Sequence, residues 1–359
     1  MNIAQVAPLY ESVPPKLYGG TERVVSYLTE ELVQQGHNVT LFASGDSKTA
    51  AKLYPMCDRA LRLERGNVVD GLAHHVRMIE LVAQRVREFD VIHFHIDYLH
   101  FPLTRRLGGA ALTTLHGRLD IPDLIPMYKE FTDMSLVSIS DAQRIPVPWA
   151  NWVATVHHGL PRRLYEPREA SGKYLAFLGR ISPEKRVDRA IEIACRVGMP
   201  IKIAAKIDVV DREYFDANIR KLFDNPLVEY IGEIGDRDKP DFLGNAYALL
   251  FPIDWPEPFG LAMIEALACG TPVIAYRKGA VAEILDEGTT GYLVDNLDEA
   301  VRAVDRIGLL DRKICRQVFE KRFSARRMCL DYLDVYQRLL GRTPERGTLP
   351  RREGLTRVA

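Results

Sequence analysis

What this chain lacks already narrows its function. Its five cysteines (Cys57, Cys195, Cys269, Cys315, Cys329) are odd in number, scattered and without a C-x-x-C pair. That usage fits reduced thiols better than a disulfide framework or a zinc site. No apolar run reaches the ~18 residues of a membrane helix, and no basic start leads into an apolar core, so neither a span nor a secretory leader is expected. Lysine plus arginine and aspartate plus glutamate number 48 each, which leaves no basic footprint for nucleic acid. There is no low-complexity tract, no short repeat and no G-x-G-x-x-G dinucleotide fingerprint. These absences leave a cytoplasmic globular protein as the expectation. Scattered arginines (Arg59, Arg62, Arg65, Arg105, Arg106) keep peripheral contact with the inner face of a membrane open, although such residues usually form solvated faces.

What is present is length and alternation. With 359 residues and 47% hydrophobic content, the expectation is two domains with a core each. Asn2 to Ala7, Val39 to Ala43, Val91 to His95, Ala111 to Leu115, Ser135 to Ile139 and Val153 to Val156 read as strands. Between them lie helices at Thr21 to Gln35, with Val24, Val25, Leu28 and Leu32 on one face, and at about Val68 to Glu88. Gly159 to Gly172, with Pro161 and Pro167, reads as a linker. The pattern then restarts with strands at Tyr174 to Leu178, Ile201 to Ala205, Val228 to Ile231, Ala248 to Phe251 and Val273 to Tyr276. A helix is expected from Ser182 to Val197, and the last of three closing helices from about Ser324 to Leu340, before a basic tail. Helices between strands imply parallel βαβ units, so the fold class is α/β with two doubly wound sheets. The expected domains are 1–160 and 173–323, joined by linker 161–172, with part of the last helix (about 324–359) returning to the first. Two such halves imply a cleft facing the carboxyl ends of both sheets.

Pro252 to Tyr276, PIDWPEPFGLAMIEALACGTPVIAY, is the most informative stretch. Glu257-Pro258 suits a helix start, since proline is tolerated at the first helical position. Phe259 to Cys269 is apolar all round, the mark of a helix buried on every side. Gly270 fits a left-handed cap and Thr271-Pro272 stops the helix. Glu265 is the one charge in it, beside Ala262, Ala266 and Cys269. Two readings stand for it. One is a structural ion pair with an arginine from elsewhere, because a carboxylate buried alone is costly. The other is a carboxylate facing a cleft, where small neighbours admit a polyhydroxyl ligand and two hydroxyl protons of a diol are accepted at once. Glu257 and the N–H groups of Phe259, Gly260 and Leu261 would then face an anion or sugar oxygens at the helix mouth.

Other segments carry candidate chemistry. Gly19-Gly20-Thr21 follows the first strand and opens a helix, where backbone N–H groups favour a phosphate; a plain tight turn is the alternative. In Gly179-Arg180-Ile181-Ser182-Pro183-Glu184-Lys185, Ser182 suits an N-cap and Pro183 a first helical residue. Arg180 and Lys185 read either as a solvated charge set with Glu184 or as a diphosphate clamp. His116-Gly117 ends a strand, well placed to reach into a cleft, a satisfied structural histidine being the alternative. His93 and His95 share a strand face; with His116 they could suggest a metal, but no carboxylate pattern supports one, which leaves structural or acceptor-side roles. Asp236-Arg237-Asp238 reads as helix capping rather than a metal-binding D-x-D.

EPFGLAMIEALACGTPVIA resembles the E-x7-E signature of retaining family-4 glycosyltransferases of the GT-B fold. Gly179 to Lys185 resembles the G-R-x-x-x-x-K signature of the same family, and Ser138 to Asp141 and Val156 to Leu160 resemble further landmarks, His158 standing where asparagine is usual. The resemblance implies two Rossmann-like lobes, 1–160 on the acceptor side and 173–323 binding the nucleotide sugar, and metal-independent, retaining transfer, without a cofactor, from a UDP- or GDP-sugar to a hydroxyl acceptor. It implies Glu265 on the ribose, Arg180 and Lys185 on the diphosphate, and Glu257 with Phe259, Gly260 and Leu261 on the sugar, assisted by His116. Gly19 and Gly20 would approach the phosphates or the reacting centre, and Gly232-Glu233-Ile234 would hold the base through the backbone. A nucleotide-sugar epimerase of the same fold and a two-lobed sugar-binding protein are the alternatives. The residues select neither the sugar, the base, the acceptor (saccharide, lipid-linked or small molecule) nor the oligomeric state.

Overall fold

The computed structural model describes residues 1–16, 19–64, 68–170 and 172–341. Arg65 and the basic tail lie outside the described residues. Within them the strands form two parallel sheets, of seven and six strands. The first contains β1 (Asn2–Val6), β2 (Asn38–Ala43), β3 (Lys52–Pro55), β4 (Val91–Phe94), β5 (Ala111–Thr114), β6 (Leu136–Ser138) and β7 (Trp152–Thr155), in the order β3-β2-β1-β4-β5-β6-β7. The second contains β8 (Leu175–Arg180), β9 (Ile201–Lys206), β10 (Val228–Gly232), β11 (Ala248–Phe251), β12 (Val273–Tyr276) and β13 (Gly291–Val294), in the order β10-β9-β8-β11-β12-β13. Strand order reverses between β1 and β4 and again between β8 and β11. In open parallel sheets those reversals create the crevice where ligands bind.

The buried strands read as apolar runs because helices cover both faces of each sheet. Helix Gly20–Gln34 lays Val24, Val25, Leu28 and Leu32 inward, each 1% exposed or less. A fully buried side chain of this kind contributes about 1.5–3 kcal/mol. The closing helix Ala325–Leu339, capped by the Ser324 hydroxyl, packs on Gly20–Gln34 beside the first sheet. Its Tyr336 hydroxyl meets Gln5 Nε2 at 3.1 Å and His93 Nδ1 at 2.8 Å, and Tyr332 meets Thr114 at 2.8 Å. The chain therefore crosses twice between the halves, and Leu160 N–H bonds Phe323 O (2.8 Å) where the crossings touch.

Several elements differ from the sequence expectation. β3 and β13 were not anticipated: both lie at sheet edges, and β3 is half-exposed and ends in proline. The helix expected from Val68 to Glu88 runs Gly71–Ala83, capped by Asp70, and is followed by a single tight turn at Val86–Glu88. The helix expected from Ser182 begins at Val187. Residues 182–186 instead make tight turns, with Lys185 N–H on Ser182 O at 3.1 Å and Arg186 in a left-handed conformation (φ 54°). Arg186 is held there by Asp188 and Asp254, which outweighs the capping preference of Ser182. The helix expected over Phe259 to Cys269 runs Leu261–Ala268. Glu257 and Pro258 precede it in a loop, and Gly260 (φ 89°) is its cap, a left-handed conformation that glycine adopts without a Cβ clash.

Candidate active site

The carboxyl ends of the two sheets enclose a cleft of about 970 Å³. Gly19, Gly20, His116, Arg180, Lys185, Glu257, Phe259, Gly260, Leu261 and Glu265 all line it, together with Glu233 and Ile234. All but Glu265, which lies inside helix Leu261–Ala268, arrive from the loops and turns at strand ends or from a helix start. Gly19 and Gly20 follow β1, His116 follows β5, Arg180 closes β8, and Glu257 follows β11.

The cations of the second sheet's wall are held by carboxylates. Arg180 Nη2 meets Glu184 at 2.6 Å and Arg180 Nε meets Asp211 at 3.2 Å. The Glu184 pair was one of the two sequence readings; Asp211 was not foreseen. Lys185 Nζ forms an ion pair with Glu257 Oε2, which also accepts from Trp255 Nε1 at 3.1 Å. The Lys185 ammonium lies 5.0 Å from the Trp255 ring centroid and 5.6 Å from that of Phe251. A cation over aromatic faces and beside a carboxylate is fixed in place rather than free to sweep.

Behind Glu257 lies a second contact that sequence reasoning missed. Gly279 (φ 56°) abuts its backbone so closely that a Cβ built there would lie 2.3 Å from Glu257 N and O. Ala280 N–H bonds Glu257 O at 2.9 Å. The loop after β12 thus sets the depth of Glu257.

Glu265 is 2% exposed. Its Oε1 accepts from Lys239 Nζ at 2.7 Å, Tyr165 O–H at 3.0 Å and Arg23 Nη1 at 3.2 Å. The ion pair with a distant arginine therefore exists, and so does the position on the cleft wall. With Oε1 engaged three times, Oε2 is the oxygen left for a hydroxyl. Burial alone would raise this carboxyl, but Lys239 and then Arg23 outweigh it and hold it below the usual range. Arg23 belongs to helix Gly20–Gln34 and Glu265 to the second half, so the pair ties the halves together. Asp236, read in the sequence as a cap, accepts from Tyr27 O–H at 3.1 Å and pairs with Arg23 at 3.3 Å.

The histidines form a buried chain. Gln5 Nε2 donates to Tyr336, and Gln5 Oε1 lies 2.8 Å from His95 Nε2, which must then carry the proton. His95 Nδ1 is left as the acceptor toward His116 Nε2 at 2.9 Å. His116 Nδ1 therefore offers a lone pair; it is buried and has no hydrogen-bond partner among the described residues. Burial pushes the His116 imidazole down to about 3 and holds His93, His95 and His158 well below their usual value, so all four are neutral. His158 stacks on His116 (centroids 5.3 Å) and meets Phe259 edge-on (4.8 Å). It packs His116 against the Phe259 loop. Among the described residues no group of three or more His, Cys, Asp or Glu is arranged to hold a metal ion, and no helix is long and apolar enough to cross a membrane. Of the arginines considered for a lipid surface, Arg62 is paired with Glu11, and Arg105 with Glu130 and Asp133.

Comparisons with known proteins agree with this layout. The family model described as Glycosyl transferases group 1 matches residues 166–321, and that described as Glycosyltransferase Family 4 matches residues 18–153. Over 365 residues the sequence is 25% identical to N-acetyl-alpha-D-glucosaminyl L-malate synthase of Bacillus anthracis, covering 90% of this chain and 94% of that protein. The fold is similar to that of a glycosyltransferase involved in avilamycin A biosynthesis, with TM-score 0.71, 25% identity and coverage of 95% and 98% of the two chains. It is also similar to the Anabaena protein HepE in complex with UDP and glucose, with TM-score 0.71, 16% identity and coverage of 94% and 100%.

Proposed function

The chain belongs to the family-4 glycosyltransferases of the GT-B fold, and from that premise we propose that it moves a hexosyl group from a UDP- or GDP-sugar to a hydroxyl acceptor with retention of configuration and without a metal. The observation that carries this reading is the convergence of Arg180, Lys185, Glu257 and Glu265 on one cleft at the strand reversals of both sheets.

In this reading the diphosphate lies against Arg180 and Lys185, which supply the positive charge that stabilises it as a leaving group. Glu265 Oε2 accepts from the ribose. Glu257 and the amides leading into helix Leu261–Ala268 hold the sugar, and the His116 Nδ1 lone pair accepts from one of its hydroxyls. The bond from the anomeric carbon to the diphosphate oxygen breaks, and the acceptor oxygen bonds to that carbon on the same face. The acceptor's proton passes to the departing phosphate oxygen, a step taken by analogy with the family. The UDP and UDP-glucose bound by HepE structures support a nucleotide-sugar donor.

The test is a panel of UDP- and GDP-sugars with chelator present, read as free nucleoside diphosphate, with the product's anomeric configuration read by NMR. Retained configuration and release dependent on an acceptor are expected. Interconversion of the donor without an acceptor would mark an epimerase, and binding without turnover a sugar-binding protein. The matching nucleoside diphosphate at 100 times its Kd should stabilise the fold by about 2.7 kcal/mol; no stabilisation by any of them would refute the reading.

A further inference from the structure

The first-sheet wall of the cleft has its own chemistry. Resting on the donor reading above, we propose that Asp97, with Tyr98 next to it in the chain and Tyr10 on the segment after the neighbouring strand, is the acceptor subsite, and that the acceptor is an uncharged saccharide ring rather than a phosphorylated or carboxylated molecule.

The placement follows from topology. Tyr10 lies on the segment after β1, and Asp97 and Tyr98 lie on the turn after β4. β1 and β4 are neighbours in the sheet and flank its reversal of strand order, the position where open sheets bind ligands. All three side chains line the same cleft as Arg180, Lys185 and Glu257.

Asp97 is unusual in three ways. Among the described residues it and Arg186 are the non-glycine residues with positive φ, 52° for Asp97. Arg186 is anchored by Asp188 and Asp254, whereas no hydrogen bond or ion pair to the Asp97 carboxylate occurs among the described residues. The side chain is open to water within the cleft, yet the surrounding walls withdraw enough solvent to raise its carboxyl to about 6. Backbone strain that delivers an unpaired carboxylate into a crevice is the kind of outlier that marks a functional group.

The neighbours define the ligand. Tyr10 and Tyr98 are 44% and 37% exposed, large aromatic surfaces for a cleft wall. A phenol offers an apolar face to the C–H side of a sugar ring and a hydroxyl at its rim. A carboxylate accepts two hydroxyl protons. An anionic acceptor fits poorly here. The cations on this wall, Arg62 and Arg23, are already held by Glu11 at 2.9 Å and Glu265 at 3.2 Å, and Asp97 and Glu22 add two further carboxylates, so the wall is net negative. Like charges about 6 Å apart at an effective dielectric near 20 disfavour such an acceptor on the order of a hundredfold.

The experiment uses the full chain with saturating donor. Acceptors are the methyl glycosides of glucose, galactose, mannose and N-acetylglucosamine, together with the 6-phosphate and uronate forms of these sugars. Neutral glycosides should be preferred by roughly a hundredfold in kcat/KM. Asp97→Asn should raise the acceptor KM by at least about tenfold while the donor KM and the thermal shift by nucleoside diphosphate stay within about twofold; Tyr98→Ala should act in the same direction. The same thermal scans report whether each variant folds, and Asp97→Asn keeps the shape of the side chain. Unchanged acceptor KM in Asp97→Asn, preference for the phosphorylated or uronate forms, or no transfer to any neutral glycoside would each overturn the proposal. Stabilisation by nucleoside diphosphate alongside any of those results would leave the donor reading intact; its absence would remove both.

Discussion

Replacing Glu265 by glutamine separates its structural role from its place in the cleft. The substitution keeps the shape and removes the charge that faces Lys239 at 2.7 Å and Arg23 at 3.2 Å, side chains only 6% and 8% exposed. Removing one partner from a buried pair costs about 3–5 kcal/mol, because the other charge stays desolvated. Arg23 retains Asp236, and so does Lys239 at 3.4 Å, which favours the lower end of that range. For domains of this size 1 kcal/mol corresponds to roughly 2–4 °C in Tm, so a fall of about 6–12 °C is expected. Thermal unfolding followed by circular dichroism at pH 7.5 measures it. The pH dependence gives an independent arm. The Glu265 carboxyl is held below its usual value, so its contribution is present above the unfolded value of about 4.3 and is lost as pH falls through the folded value. The gap between wild type and Glu265→Gln should therefore be constant at neutral pH and close on acidification. A fall in Tm below about 2 °C, or a gap that widens in acid, would refute the argument that this carboxylate is an ionised clasp between the halves.

Three further outcomes follow from the geometry. Arg180→Ala and Lys185→Ala should each lower turnover by roughly 10²–10³ with the fold retained, as expected on losing a donor aimed at developing charge; near-wild-type turnover in both would remove the clamp. Gly279→Ala places a methyl 2.3 Å from Glu257 N and O, backbone atoms that must shift, at a φ of 56° unfavourable for alanine, and should lower Tm and, by shifting Glu257, lower kcat by about 10–100-fold; unchanged kcat and Tm would show that the loop yields. His93, His95, His116 and His158 are neutral in the fold and would charge near 6.5 when unfolded, so stability should fall with pH below about 6.5, by about 1.4 kcal/mol per pH unit for each imidazole; a flat profile between pH 6.5 and 5 in urea titrations would contradict their burial as neutral groups.

The sequence exposed the parts of the fold whose cause is local. Val273-Ile274-Ala275-Tyr276 is a strand because four apolar residues between turn signals fit a sheet covered on both faces, and Ala248–Phe251 is legible for the same reason. The helix start at Leu261 was not legible from Glu257-Pro258, because the loop before it is shaped by Gly279, far along the chain. Likewise the three partners of Glu265 are an arginine 242, a tyrosine 100 and a lysine 26 residues earlier. Arg23 carried one faint signal, since it lies four residues before Tyr27 on an amphipathic helix and both side chains reach Asp236. His158 could not be read from its motif, since its role is to fill the space between His116 and Phe259.

The pairing of charges within the cleft bears on how it would bind a donor. Arg180 rests on Glu184 and Asp211, and Lys185 on Glu257 between two aromatic rings. Long cationic side chains lose about 0.5–1.5 kcal/mol each when immobilised on binding, and here the carboxylates have already imposed that loss during folding. A diphosphate then exchanges for a carboxylate as the anionic partner, and the carboxylate released from Lys185 is Glu257, the group assigned to the sugar. One movement would therefore load the cation with phosphate and free the carboxylate for hydroxyls. Glu265 differs: its three donors come from both halves and Oε2 has no partner among the described residues, so on the proposed reading it would meet the ribose without releasing the clasp. On the proposed reading the two carboxylates of the same signature would thus divide the work, one exchanging partners as the donor enters and the other holding the cleft's walls in register.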